Sequence, residues 1–326
     1  MTNTSRRGAR NLATKILCCT PMPGYLRDSL AAEFDCHDYH FPSGALTIPK
    51  AALASIRGMA MTGEAQISAA LLDQLPALEI ISVFGAGYDG VPMEYCQARG
   101  IRVAHTPGLM TDDAADLVTA LVLMTGRNLL RADAFARSGD WAKGSFPLSS
   151  TITGKRAGIF GLGRIGMAIA HRLVALGMQI SYCARSPRPD LPWRFFPDLE
   201  ELARDSDFLV MSCPGGAATR GIVGPRILQA LGPEGILINA ARGSVVDEAA
   251  LIAALKGGTI RAAGLDVFAC EPSIPPDLAA LGNTVLLPHI ASATRETREA
   301  MAALCRANLH NWFSGVAPVV LVPNAG

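Results

Sequence analysis

The stretch "RAGIFGLGRIGMAIAHRLVALGMQISYC", residues 156 to 183, constrains the fold more than any other part of the chain. A short apolar run from Arg156 to Phe160 leads into glycines at 161, 163 and 166. An amphipathic run follows, ending near Leu176 and Gly177, and then a second apolar run. Strand, glycine turn, helix and strand in that order make a crossover, and strands joined in this way lie parallel in one sheet. Gly161 permits the tight turn, Gly163 lets backbone approach a pyrophosphate, and Gly166 lets the helix sit close to the strand. The helix N-terminus, with the backbone of Leu162, Arg164 and Ile165, then offers amide donors and a positive dipole end to phosphate. The unit reads as a dinucleotide site, with a purely structural glycine turn as the alternative.

An NAD site usually carries Asp or Glu near the end of the second strand, where it accepts hydrogen bonds from the adenosine ribose. Here that place reads Tyr182-Cys183-Ala184-Arg185-Ser186. Ala184 removes the repulsion that a 2′-phosphate would meet, while Arg185, Ser186 and Arg188 supply cationic and hydroxyl donors. The pattern predicts NADPH as the preferred cofactor, with NADH also admitted. A solvated basic loop is the competing account.

Short apolar runs alternate with helical patterns along the rest of the chain. The first third holds "KILCC", "IRGMAMTG", "LEIISVFG" and "IRVAHTP"; a second series runs "RAGIFG", "QISYCA", "DFLVMSC", "GILINAA", "AAGLDVF" and "TVLLPH". Two α/β units with parallel sheets are expected, and 326 residues suffice for two cores. Between the series, one helix is expected from Thr111, as N-cap, to about Ser138, with Asp112 and Asp113 complementing its dipole. Its apolar surplus exceeds what one covered face needs and predicts a domain or subunit contact. The run "RETREAMAALCRANLHNWFSG" predicts a last helix, ending at Gly315 and returning to the first unit.

Charge narrows the partners. Twenty-nine Lys and Arg against 28 Asp and Glu leave a formal charge of +1, so no broad basic surface exists for nucleic acid or anionic membrane. No apolar run approaches the roughly 20 residues of a membrane helix. The start carries a twin arginine, Arg6-Arg7, but Lys15 interrupts the following apolar stretch and Pro21 and Pro23 halt it. A frayed basic extension is expected there rather than an export signal. The eight cysteines lack C-x-x-C spacing, which predicts a reduced, cytoplasmic chain.

Three later strands each end in a residue able to act on a carbonyl acid. "LINAARG" gives Arg242, "LDVFACEP" gives Glu271 and "VLLPH" gives His289. Ligands of open parallel sheets bind beyond the carboxyl ends of strands. Arg242 is the candidate carboxylate clamp, His289 the proton donor, and Glu271 the partner that keeps the imidazole protonated. Taken singly, each also reads as a structural residue. Asp266 is expected inside a strand from Ala262 to Phe268, where an ionised acid needs partners. His37, His40, His105, His171 and His310 read as surface or packing residues.

The ordered set "VFGAGYDGVP", "GIRVAHTPGLMTDDAADL", "GKRAGIFGLGRIGMAIAHRL", "ISYCARSPRP", "INAARGSVVDEAAL", "AGLDVFACEP" and "LLPHIASATRETREAM" resembles the D-isomer-specific 2-hydroxyacid dehydrogenases, in their glyoxylate/hydroxypyruvate reductase branch. That branch includes the plant-type hydroxyphenylpyruvate reductases. The resemblance spans about residues 78 to 315. It implies two Rossmann- or flavodoxin-like domains with parallel sheets. A cofactor domain of residues 107–288 would be inserted into a discontinuous substrate domain of 1–106 and 289–326. It implies that Arg242, Glu271 and His289 are catalytic, that Asp266 contacts the nicotinamide amide, and that Ala240 and Ala291 line the cofactor alongside them. Cys213, Pro214 and Thr219 of "CPGGAAT" would line the adenosine side, and the amides of Phe84, Gly85, Ala86 and Gly87 would hold the substrate carboxylate.

The expected reaction is reduction of glyoxylate or hydroxypyruvate to the D-2-hydroxy acid by a homodimer paired through its cofactor domains, without a metal. Two departures stand out: "CPGGAAT" where the family more often has Leu-Thr-Pro, and His105 where Asn is usual. A bulkier 2-oxo acid, such as a phenylpyruvate, is the alternative substrate, because the side chains around Met110, Trp141 and Phe146 set pocket size. A dinucleotide-sensing scaffold, as in corepressors of this fold, is the alternative of another class.

Overall fold

The computed structural model describes residues 14–41, 43–46 and 48–322, so the twin-arginine extension lies outside the described residues. The chain divides into a discontinuous unit, up to Leu109 and from Arg298, and a continuous unit, Met110–Thr297. Residues 289–297, expected in the discontinuous unit, therefore lie in the continuous one. The cause is local: Asp266 bonds the amides of Ile290 and Ala291, and Thr294 bonds Asp113 of the same unit.

The discontinuous unit holds strands β1 (Lys15–Thr20), β2 (Asp35–His40), β3 (Ala45–Leu46), β4 (Ile56–Thr62), β5 (Ile80–Phe84) and β6 (Arg102–Ala104). Their order is β3-β2-β1-β4-β5-β6. Only the β2/β3 pair is antiparallel among the described strands. Without β3 the order is the flavodoxin-like 2-1-3-4-5. β2, "DCHDYH", has no counterpart among the expected strands. It is polar and half-buried, with no apolar alternation to signal it, because its only outer neighbour is the two-residue β3. Helices α1 (Gly24–Ala31), α2 (Ala69–Asp73) and α3 (Met93–Ala98) complete this segment. Leu17, Met59, Met61, Leu72, Ile81 and Val83 form the centre of its core.

The continuous unit opens with α4 (Thr111–Gly126) and α5 (Leu129–Arg137). These replace the single expected helix. The break falls at Asn128, whose left-handed φ of 52° ends one helix and opens the next. Thr111 is the first helical residue and Met110 holds the cap position, with no side-chain capping bond. Then follow β7 (Arg156–Phe160), α6 (Arg164–Ala175), β8 (Gln179–Cys183), β9 (Arg194–Phe196), α7 (Leu199–Arg204), β10 (Phe208–Met211) and α8 (Pro225–Leu231). The unit closes with β11 (Ile236–Asn239), α9 (Glu248–Lys256), β12 (Ala262–Leu265), α10 (Pro276–Ala279) and β13 (Thr284–Leu286). All seven strands are parallel, in the order β13-β12-β11-β10-β7-β8-β9. Starting from β7, this is the doubly wound 3-2-1-4-5-6 order extended by one strand, with its switch point between β7 and β10.

The last helix, α11 (Arg295–Phe313), returns to the discontinuous unit for most of its length. There Ser82 Oγ donates to the Cys305 carbonyl at 2.9 Å, and Trp312 Nε1 donates to Glu79 at 3.0 Å. Gly58 is needed beneath it, because a Cβ would lie 3.0 Å from the Phe313 ring. Among the described residues, no helix is long and apolar enough to cross a membrane.

Candidate active site

The glycine turn has the geometry its spacing predicts. Gly161 takes φ +96°, and a Cβ there would sit 2.7 Å from the Ser212 carbonyl. A Cβ on Gly166 would sit 2.2 Å from the Gly161 carbonyl, so α6 can start this close to β7 only without one. Gly163 faces open space, and α6 has no side-chain cap and no acid in its first turn. Leu162 is buried beneath the turn, Ile165 half-buried, and Arg164 exposed. An uncapped helix end with open space before it suits an anionic ligand.

At the end of β8, Ala184 is half-buried and Arg185 and Ser186 are exposed. Arg188 is otherwise engaged: it pairs with Asp190 at 2.8 Å, and its amide donates to Tyr182 Oη at 2.6 Å. No Asp or Glu lies between Tyr182 and Arg188. A cavity of about 490 Å³ opens beside the ends of β7 and β8, lined by Phe160, Cys183, Pro197, Asp198, Ile222 and Pro225. In the loop after β10, Pro214 is exposed and Cys213 is buried, its thiol pushed up to about 11 by that burial. The Thr219 hydroxyl donates to the Pro214 carbonyl at 2.7 Å, so it closes its own loop.

The three strand ends come together through backbone contacts. At the end of β11, the buried Asn239 donates Nδ2 to the Arg242 carbonyl at 3.0 Å and accepts from the Ala241 amide at 3.1 Å. Its own carbonyl accepts from the Asp266 amide at 2.9 Å, and half-buried Ala240 lies in the turn so formed. A Cβ on Gly243 would meet the Phe268 carbonyl at 1.9 Å, so the Arg242 turn is pressed against the segment after β12. That segment is anchored in turn, since Glu271 Oε1 accepts from the Phe268 amide at 2.9 Å. Glu271 Oε2 accepts from His289 Nδ1 at 2.6 Å. Burial pushes the Glu271 carboxyl up, but the His289 bond and charge, the Phe268 amide and the Arg242 charge together hold it below its ordinary value.

β12 ends at Leu265, so Asp266 lies just beyond the strand rather than inside it. It is fully buried, and burial raises its pKa against two backbone bonds, from Ile290 at 2.8 Å and Ala291 at 2.9 Å. With the Asp266 carbonyl accepting from the His289 amide, these bonds fix the turn in which His289 takes φ +53°. Asn239, Gly243 and the capping role of Asp266 escape a reading of motifs alone, although "LINAARGS" contains two of the three.

In the discontinuous unit, Phe84 is buried and Gly85–Gly87 are half-buried. The Gly85 amide is already bonded to Thr106 Oγ1 at 2.9 Å. Of the four amides expected to hold a carboxylate, that of Gly85 is therefore already engaged. His105 is not a bland packing residue: its Nδ1 donates to the Ala86 carbonyl at 2.9 Å, and its ring stands edge-on to Tyr88.

The D-isomer-specific 2-hydroxyacid dehydrogenase NAD-binding domain matches residues 119–291. Glyoxylate/hydroxypyruvate reductase A HPR2 of Arabidopsis thaliana is 42% identical over 308 residues, covering 94% of this chain and 98% of that protein. Hydroxyphenylpyruvate reductase of Plectranthus scutellarioides is 42% identical over 311 residues, covering 94% and 99%. The crystal structure of the NADPH-dependent glyoxylate/hydroxypyruvate reductase SmGhrB from Sinorhizobium meliloti, bound to NADP and malonate, superposes with a TM-score of 0.89. It is 41% identical and covers 95% of this chain and 97% of its own. The family domain spans more than half of the chain and the relatives match it at 42% identity along nearly their whole length, so the chain belongs to the D-isomer-specific 2-hydroxyacid dehydrogenase family.

Proposed function

We propose that the protein reduces a small 2-oxo acid, glyoxylate or hydroxypyruvate, to the D-2-hydroxy acid with NADPH. The carrying observation is the 2.6 Å bond from His289 Nδ1 to the Glu271 carboxylate, held in the same unit as Arg242. Glu271 keeps a proton on Nδ1 and offers the imidazolium a counter-charge, so the other nitrogen, Nε2, can deliver a proton to the ketone oxygen. Arg242 binds the carboxylate and polarises the carbonyl. Asp266 is a positioning residue that fixes the His289 turn. The donors offered by the discontinuous unit are the amides of Ala86 and Gly87.

NADPH supplies a hydride to the carbonyl carbon when bound. Gly161, Gly163, Gly166 and the amides of α6 would hold its pyrophosphate. Arg185 and Ser186 would take the 2′-phosphate, and the cavity beside Phe160 and Cys183 would take the adenine. Homology supports the same choice, because SmGhrB is NADPH-dependent. The eight free cysteines support a cytoplasmic setting, and the exposed apolar residues after α4 support a homodimer paired through this unit.

A panel of 2-oxo acids, compared by kcat/KM with both cofactors, tests the proposal. Glyoxylate or hydroxypyruvate with NADPH should rank first. A phenylpyruvate in first place would assign the bulkier substrate class, named by the Plectranthus relative. Tight NADPH binding with no turnover of any acid would assign a sensing scaffold. Arg185→Ala should narrow the NADPH preference by roughly 10- to 150-fold, the loss of a charged donor worth ~1.5–3 kcal/mol. Activity with NADH should change little. An unchanged ratio would mean that Arg185 and Ser186 are a solvated loop.

A further inference from the structure

Strand β6 ends at Ala104, and residues 320–322 return to lie along it. Ala104 pairs with Leu321 in the antiparallel sense. The Val322 amide donates to the Val103 carbonyl at 2.8 Å, and the His105 amide to the Val320 carbonyl at 3.3 Å. Asn308 of α11 ties this corner together. Its side chain is fully buried; Nδ2 donates to the His105 carbonyl at 3.3 Å, and Oδ1 accepts from the Val320 amide at 3.1 Å. A carbonyl only accepts and a backbone amide only donates, so its partners fix which way the Asn308 amide points. A buried amide is costly unless bonded, and here both bonds go to main chain.

From this corner the connection runs on to the loop after β5. His105 Nδ1 donates to the Ala86 carbonyl at 2.9 Å. Thr106, buried beside it, holds Gly85 twice: its amide donates to the Gly85 carbonyl, and its Oγ1 accepts from the Gly85 amide, each at 2.9 Å. Two of the four residues from Phe84 to Gly87 are glycines, which have the most backbone freedom to lose on being ordered. A loop of that composition keeps a single shape only through bonds supplied from outside it.

We propose that Asn308 and residues 320–322 are positioning elements for the substrate carboxylate, acting through His105 and Thr106 on the loop of residues 84–87. The inference rests on the reading that this loop binds the oxo acid. Asn308 touches no substrate. It fixes the backbone of residue 105, so that the His105 ring and the Thr106 hydroxyl reach the loop in one geometry before the acid arrives, which lowers the ordering cost of binding. The last helix and the segment after it thus bear on affinity for the acid as well as on the stability of the unit.

Kinetics of the full chain with glyoxylate and NADPH test this in a cycle of His105→Ala, Asn308→Ala and the double variant. Asn308→Ala should raise the KM for glyoxylate ~10-fold, since a small misplacement by a residue remote from the chemistry is costly, while the KM for NADPH holds. The double variant should lose less than the product of the two single effects, because both act on one loop. His105→Asn, whose amide nitrogen falls near the position of Nδ1, should recover most of what His105→Ala loses. Circular dichroism checks folding. Should Asn308→Ala not fold, Val320→Pro, which lacks the amide hydrogen that Asn308 accepts, takes its place in the cycle. Equal rises in both KM values, or full additivity in the double variant, would make Asn308 a residue of stability alone and overturn the inference. So would an unchanged KM for glyoxylate in Asn308→Ala, with the reductase reading left standing. A wild type that turns over no oxo acid would overturn that reading and the inference with it.

Discussion

At the scale of single residues, the proposed mechanism places both the chemistry and its pH dependence on the bonded His289–Glu271 pair. His289→Ala should lower kcat by ~10²–10⁴, the usual contribution of a general acid, while the NADPH dissociation constant stays within a few-fold. Near-normal turnover would remove His289 from the mechanism. The Glu271 carboxyl sits below its ordinary value in the folded chain. The pair's stabilisation is therefore fully present above the ordinary glutamate range and is lost as pH falls through the folded value. At neutral pH Glu271 is ionised, the counter-charge that the proposed acid form of His289 needs. Glu271→Gln removes that counter-charge, so the pH above which reduction fails should move down in a kcat/KM profile. An unmoved basic limb would mean that Glu271 only packs against the ring. His105→Ala frees the Ala86 carbonyl; KM for the oxo acid should rise while KM for NADPH holds, a split that a general loss of stability would not produce.

At the scale of elements, close backbone approaches do most of the positioning. A methyl group on Gly243 would overlap the Phe268 carbonyl at 1.9 Å, forcing apart the segments that carry Arg242 and Glu271. Gly243→Ala should cost ~1–3 kcal/mol of stability, as overpacking does, and lower kcat more than His105→Ala; thermal melts and kinetics together check it. The sequence signals that succeeded were those with a steric or periodic cause. Gly161, Gly163 and Gly166 announce a strand, a turn and a helix, and the short apolar runs that alternate with helical patterns mark β7, β8 and β10 to β13. Where the backbone rather than the side chain carries the information, reading fails. β2 is polar because it lies near the sheet margin, Asn128 breaks a continuous apolar pattern through its own φ, and Asp266 looks like an isolated strand acid until its amide partners are known. The same limit explains Gly85, whose amide belongs to Thr106, a partner 21 residues away. Motif spacing identified all three catalytic candidates but neither Asn239 nor Gly243, because their work is done on main-chain atoms.

At the scale of the whole molecule, the apolar surplus between the two series of strands has to be satisfied somewhere. Part of it is internal: α4 buries Ala114, Ala115, Val118, Leu121 and Val122. The remainder is not, since α5 buries none of its residues. Leu129 and Leu130 are 43% and 47% exposed, Trp141 73% and Leu148 99%. Large side chains clustered within 20 residues of sequence are a surface suited to a partner, and a second copy of the chain is the partner that symmetry favours. A standard interface removes about 1,600 Å² from water in total, more than these four side chains supply, so a dimer contact of that size would extend along α5 and the segment that follows it. Sedimentation equilibrium at micromolar concentration should return twice the chain mass of 34.2 kDa. Leu130→Glu with Trp141→Arg should shift the mass towards one chain. Both residues are exposed in the single chain, so the variant should keep its circular dichroism spectrum. Its melting temperature should also cease to rise with protein concentration, as mass action requires of a dissociated dimer. A wild-type mass of 34.2 kDa would show that the exposed residues serve something other than self-association.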